Sequence, residues 1–102
     1  MLMTKRKPAS VGEILSEEFM EPMGLTQGAL AEAMGVQRKH VNELCNDRRN
    51  VTAPTALILA HVFGSSPDFW LNVQRRGDLW EAKHSPRECE RIKRARPLTA
   101  AA

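Results

Sequence analysis

The chain has 102 residues, of which 42% are apolar, and its formal net charge is +3. This length suits one small domain with a modest core and leaves no room for a second domain. No apolar run approaches the roughly 20 residues needed to span a bilayer, and no apolar segment follows the basic N-terminus as it would in a secretion signal. We therefore expect a cytoplasmic protein with no membrane partner.

The charges are segregated along the chain. Residues 11 to 34 contain five glutamates and no basic residue, whereas residues 35 to 49 and the first ten residues are net basic. Such a split suits a protein that binds nucleic acid with one surface and presents another surface to a second partner or only to water.

The first predicted helix follows a basic N-terminus, residues 1 to 9, that we expect to be flexible. Ser10 and Glu13 have the spacing of a capping box, in which each side chain satisfies a free backbone donor near the other residue. The helix should begin there and end near Glu21, before Pro22. Its inward face should carry Val11, Ile14, Leu15 and Phe19.

Residues 26 to 46 read as two short helices joined by a glycine turn. Thr26 is a good N-cap for a helix over 27 to 34, Gly35 suits the positive φ that ends a helix, and a third helix should span about 37 to 46. Each helix has one inward apolar stripe, made of Leu30, Ala31, Met34, Val36, Val41 and Leu44. This is the build of a DNA-reading helix-turn-helix.

Two longer helices follow. The stretch from Ala53 to Phe63 contains no formal charge, so it should form the buried centre of the domain. A fifth helix should run from about 67 to 83. Four of its residues follow helical spacing and predict one seam, namely Trp70, Val73, Gly77 and Trp80. We favour this seam as a dimer interface, because paired recognition helices about 34 Å apart are usual in repressors. The alternative is that it packs entirely on the protomer's own core.

The C-terminal extension, residues 85 to 102, is basic. Ser85 and Glu88 repeat the capping-box spacing, which predicts a short sixth helix over 86 to about 95. The extension is either a solvated tail or a supplementary contact for DNA or a partner. The predicted fold is therefore all-α, with five helices in a helix-turn-helix domain over 10 to 84 and a short sixth helix after it.

Helical phase selects the candidate DNA contacts. With Val41 and Leu44 facing inward, the side chains expected to read bases in the major groove are Arg38, Lys39, Asn42 and Glu43. Arginine and lysine donate to guanine, asparagine pairs with adenine, and glutamate accepts from cytosine. The expected backbone contacts are Thr26, Gln27, His40, Arg48 and Arg49.

These same residues carry a resemblance to a known family. Thr26-Gln27, Leu30-Ala31, Gly35-Val36 and Val41 to Leu44 are similar to the phage-repressor-like (XRE) helix-turn-helix family. The segments around Val11 to Leu15, Glu21 to Leu25, Asn50 to Phe63 and Gly64 to Gln74 resemble its HigA branch, the antitoxins of toxin–antitoxin modules. The resemblance covers roughly residues 8 to 84.

The resemblance implies a homodimer that binds a palindromic operator in its own promoter and neutralises a RelE-like ribonuclease toxin, HigB. The chain departs from the family pattern at three places. Gln37 stands where a serine cap is frequent, Asp47 stands where glycine is common in the turn, and the basic extension after Ser85 is an addition.

Two functions of different classes remain open at this point. In the first, the chain is chiefly an operator-binding autorepressor. In the second, it is chiefly a protein-interaction module whose acidic first helix covers a basic ribonuclease surface. An orphan regulator without a toxin is a further alternative. We do not expect an enzyme, since no catalytic arrangement of side chains lies near a glycine-rich loop. The cysteines, at positions 45 and 89, and the three histidines lack metal-ligand spacing, so we expect neither metal nor cofactor.

Overall fold

The computed structural model describes residues 6 to 98, and every regular element within this range is a helix. The helices are α1, composed of Val11–Ile14, a π-helical segment Leu15–Met20 and a last turn Glu21–Met23, then α2 Gln27–Met34, α3 Arg38–Cys45, α4 Ala53–Phe63, α5 Pro67–His84 and α6 Pro86–Arg94. The predicted all-α class with a short sixth helix is confirmed.

Helix α1 is longer than its sequence predicts. The Ser10–Glu13 capping box is present, but the helix continues past Glu21 and includes Pro22 in its last turn. The backbone N–H of Glu21 bonds to the carbonyl of Ser16, five residues earlier, so the turn before the proline is wider than an α-helical turn. Because proline has no backbone N–H, Pro22 leaves no unsatisfied donor in this wider turn. Gly24, at φ 61°, then ends the helix.

The core is one cluster of buried side chains from α1 to α5, and its largest member lies on α5. Trp70 of α5 is fully buried, and its ring centroid lies 4.9 Å from that of Phe19 and 5.1 Å from that of Phe69. Its indole Nε1 donates to the hydroxyl of Ser65 at 2.9 Å. Val73, one turn later, is also buried. The assignment of Trp70 and Val73 to a dimer interface is therefore corrected, because both side chains lie inside the protomer.

Helix α6 packs on α5, and most of its side chains are exposed. The hydroxyl of Ser85 accepts from the backbone N–H of Glu88 at 3.3 Å, as predicted. The second half of the predicted capping box is replaced by another contact, because the Glu88 carboxylate bonds to Arg91 at 3.0 Å. An arginine one turn later on the same face competes for this carboxylate.

Much of the predicted flexible N-terminus, and the end of the basic extension at residues 99 to 102, lie outside the described residues. Lys7 is described, and its ammonium forms an ion pair with Glu81 of α5 at 2.7 Å. In the described part of the chain, no helix combines the length and apolar character that crossing a membrane requires.

Candidate nucleic-acid interface

Helices α2 and α3 form a helix-turn-helix. The Thr26 hydroxyl accepts from the backbone N–H of Ala29 at 3.1 Å, and Gly35 takes the left-handed conformation at φ 71° between the helices. Leu30 of α2 and Val41 of α3 are both fully buried. The predicted cap, turn and inward stripe are therefore confirmed, and they fix the angle at which α3 is presented.

The opposite side of α3 is polar and open to solvent. Arg38, Lys39 and Asn42 are exposed, whereas Val41 and Leu44 have no exposed surface. The first turn of α3 contains two cations, and Gln37, the residue before it, makes no side-chain cap bond. The free backbone donors of this helix start and two exposed basic side chains therefore lie in the same turn, which is an arrangement suited to binding phosphates.

One hydrogen bond joins the two helices on this face. Asn42 Nδ2 donates to Gln27 Oε1 at 3.1 Å, so the first residue of α2 fixes the amide of α3. The second Nδ2 hydrogen and Oδ1 of Asn42 are the two groups that pair with adenine N7 and N6. Sequence reasoning selected both residues, but the contact between them is a property of the folded helix pair.

Glu43 and Arg49 are brought together, although the sequence suggests separate roles for them. Arg49 donates to Glu43 Oε1 through Nη2 at 2.7 Å and through Nε at 3.0 Å. These bonds lower the pKa of the Glu43 carboxyl. Arg48, the neighbouring predicted backbone contact, is exposed in the same turn.

His40 lies near this pair, close enough for both charges to affect its pKa. It is half-buried, and its Nε2 has no hydrogen-bond partner among the described residues. Burial lowers the pKa of His40, and the nearby charge of Arg49 lowers it further, so the ring is neutral at neutral pH. Within residues 6 to 98 it belongs to no group of three side chains able to hold a metal ion.

Asp47, which departs from the family pattern, is a structural residue of this region, and its side-chain contacts were not predicted from the sequence. Its φ is 56°, and its carboxylate accepts from the Ser10 hydroxyl at 2.6 Å and from the backbone N–H of Gly12 at 2.9 Å. A Cβ on Gly12 would lie 2.4 Å from the carbonyl oxygen of Cys45. The end of α3 therefore packs directly against the start of α1. A glycine in the first turn of a predicted helix was the available signal for this close approach.

A second surface lies on α5, where Gly77 and Trp80 are about one turn apart on the same side of the helix, and we call these two residues the α5 face. Leu79 lies beside Trp80, away from Gly77. Leu79 is 53% exposed, while Gly77 and Trp80 are half-buried. The Trp80 ring stacks on His84 at 3.9 Å, and the Lys7 ammonium lies 5.8 Å from its centroid. Of the four residues in the predicted dimer seam, Gly77 and Trp80 are the two at the protomer's surface.

Comparisons with known proteins agree with this architecture. The helix-turn-helix family model matches residues 17 to 70. The chain is 51% identical over 98 residues to Antitoxin HigA-1 of Vibrio cholerae serotype O1, a match that covers 96% of this chain and 90% of that protein.

Two solved structures are similar over nearly the whole chain. One is the antitoxin GraA in complex with its operator, with a TM-score of 0.84, 38% identity, and coverage of 98% of this chain and 100% of that one. The other is the Pseudomonas aeruginosa antitoxin HigA with the higBA promoter, with a TM-score of 0.80, 31% identity, and coverage of 90% and 99%. The chain therefore belongs to the helix-turn-helix family, in its branch of HigA-type antitoxins.

Proposed function

We propose that this protein is a sequence-specific DNA-binding antitoxin, which represses its own toxin–antitoxin operon as a homodimer and neutralises a ribonuclease toxin of the HigB type. The observation that carries the proposal is the exposed polar face of α3, held beside the start of α2 by the bond from Asn42 to Gln27. The relatives described as antitoxins, two of them bound to an operator or a promoter, support it. The function is binding rather than catalysis, in the cytoplasm where the operon lies.

Each exposed side chain of α3 has a chemical role in this proposal. Arg38 and Lys39 donate to guanine O6 and N7, and Asn42 pairs with adenine. Thr26 and Gln27 stand at the positive end of α2, where backbone N–H groups attract a phosphate. Arg48 adds a phosphate contact from the turn after α3. Neutralising these phosphates releases counterions, so operator affinity should fall steeply with salt.

A homodimer presents two such faces to a palindromic site. The α5 face is the surface that we assign to the dimer contact, because it combines a tryptophan with a glycine that leaves room for close approach, and Leu79 beside the tryptophan is exposed. Among the described residues, no atom outside the backbone of its own helix and its chain neighbours lies within 4 Å of a Cβ built on Gly77. Two recognition helices then read half-sites about 34 Å apart.

The toxin-binding surface is assigned to the acidic side of α1. Glu17, Glu18 and Glu21 are all exposed, and Met23 beside them is 63% exposed. A flexible apolar side chain at the edge of an acidic surface suits contact with a basic protein that cleaves RNA. This surface lies on a different helix from the DNA-reading face, so one protomer can hold both partners.

Two sets of variants separate the two activities. Arg38→Ala with Asn42→Ala should abolish operator binding and leave toxin binding unchanged. Charge reversal at Glu17, Glu18 and Glu21 should weaken toxin binding and leave operator binding unchanged. Normal operator binding by the first variant would refute the DNA assignment, and unchanged toxin affinity in the second would refute the acidic-surface assignment.

A further inference from the structure

Helix α3, which we propose reads the bases of the operator, carries one acidic residue although DNA itself is a polyanion. Glu43 is the only acidic residue of α3, and a bare carboxylate there would be repelled by the phosphates on both sides of a major groove. Proteins use such an acid for one purpose in base reading, which is to accept a hydrogen bond from the amino group of cytosine. The negative charge of Glu43 must then be neutralised by another group of the protein.

Arg49 neutralises this charge. Its Nε and Nη2 both donate to the same carboxylate oxygen, Oε1, so the guanidinium leaves Oε2 of Glu43 unused. The Glu43 side chain is 26% exposed and Arg49 is 47% exposed, so the pair lies at the surface rather than in the core. Two hydrogen bonds to Oε1 fix the orientation of the carboxylate group, so they also fix the position of its second oxygen, Oε2.

We propose that Arg49 is a positioning residue, which neutralises Glu43 and orients its free oxygen to accept from a cytosine N4 amino group in the operator. The inference rests on the proposed DNA-binding function and assigns one base pair of the operator to this pair of side chains. It replaces the simpler expectation, in which Arg49 contacts a phosphate directly. A direct phosphate contact would require Arg49 to leave a carboxylate that it already holds through two nitrogens.

Arg48 offers a matched control. It is the neighbouring residue, has the same charge, is exposed, and makes no side-chain hydrogen bond or ion pair with any described residue. Loss of Arg48 removes only a charge near the backbone, so it should weaken binding to all sequences alike. Loss of Arg49 should instead change which sequence is preferred.

The test measures binding of four variants to a panel of operator duplexes in which each base pair is changed in turn. The variants are Glu43→Ala, Arg49→Ala, the double variant, and Arg48→Ala. We expect Glu43→Ala to lose discrimination at one C·G pair by about fivefold or more. Arg49→Ala should lose discrimination at the same pair, and its loss of overall affinity should be at least about threefold smaller in the Glu43→Ala background.

Three results would overturn the inference. Arg49→Ala could behave as Arg48→Ala does, with all duplexes weakened alike, or its effect could be independent of Glu43. Loss of discrimination at different base pairs in the two single variants would also contradict it. If instead the wild-type protein showed no preference for any operator, the proposed function would fail and this inference with it. Circular dichroism and thermal melting of each variant establish that a lost preference does not reflect lost folding.

Discussion

Asp47, just after the end of α3, is hydrogen-bonded to Gly12 at the start of α1, 35 residues earlier in the chain. The Asp47 carboxylate accepts from the Gly12 backbone N–H at 2.9 Å, and Asp47 itself has a φ of 56°. The acid therefore satisfies one of the free donors at the start of α1 and places its charge at the positive end of that helix. The same turn orients Arg48 and Arg49, so this contact supports the DNA-reading surface.

Replacing Asp47 should separate its hydrogen bonds from its backbone strain. Asp47→Ala loses both acceptors and keeps a left-handed residue with a Cβ, so we expect the free energy of unfolding to fall by about 2 to 3 kcal/mol. Asp47→Gly loses the same bonds but adopts this φ without strain, so its cost should be smaller by about 1 kcal/mol. Urea denaturation of both variants measures this difference. Equal losses in the free energy of unfolding would show that the backbone of Asp47 is not strained.

Gly12→Ala should be among the most damaging small substitutions in the chain. The new Cβ would meet the Cys45 carbonyl oxygen at 2.4 Å, and neither helix end can yield without moving the other. We expect a loss of about 3 kcal/mol or more in the free energy of unfolding. Gly28→Ala is the matched control, because within residues 6 to 98 no atom beyond its chain neighbours and its own helix backbone lies within 4 Å of a Cβ built there. Alanine also stabilises a helix relative to glycine by up to about 1 kcal/mol. Equal effects of the two substitutions would show that α1 and α3 are not in close contact.

The stability of the domain should fall in mild acid because of His40. Its pKa in the folded protein is lowered from 6.5, chiefly by burial, so the unfolded chain binds more protons in this range. The contribution is fully present above pH 6.5 and is lost as the pH falls below that value. Glu43 stays ionised in this window, because its pKa is lowered as well.

His40→Gln should flatten this dependence. Thermal melting between about pH 7.5 and pH 5.5 compares the variant with the wild-type protein. A glutamine cannot be protonated in this range, so the fall in melting temperature should be smaller for the variant. An unchanged fall would assign the acid sensitivity to other groups.

Leu79→Glu should weaken the homodimer without unfolding the protomer. Leu79 is 53% exposed beside Trp80 of the α5 face, and a charge there would lose its hydration at the contact with the second copy. We expect the dimer dissociation constant to rise by about tenfold or more in sedimentation experiments. Leu57→Glu is the control, since Leu57 is 59% exposed and lies on α4. A dimer that responds to Leu57→Glu and not to Leu79→Glu would place the interface elsewhere.

Local sequence signals predicted the helices and the phase of α3 well. Caps at Ser10 and Thr26, and the glycine at 35, act within one turn of the chain, and the structure places the helix ends within about one or two residues of the predicted ends. The continuation of α1 through Pro22 was missed, because a π-helical segment depends on the packing of the whole helix.

Contacts between distant residues were the part that the sequence did not predict. Helical spacing correctly placed Trp70 and Val73 on one side of α5, but spacing does not reveal whether that side meets the protomer's own core or a second copy. In the same way, Glu43 and Arg49 were both expected to face DNA, yet the turn after α3 brings their side chains together.

The most direct test of the proposed function is a titration of the purified protein with the DNA upstream of its own gene, against an unrelated duplex, at two salt concentrations. This function predicts nanomolar binding that resists the competitor, two protomers for each operator, and a steep loss of affinity with salt. Equal, weak binding to both duplexes, removed by the higher salt, would contradict it and leave the acidic surface of α1 as the functional part of the molecule.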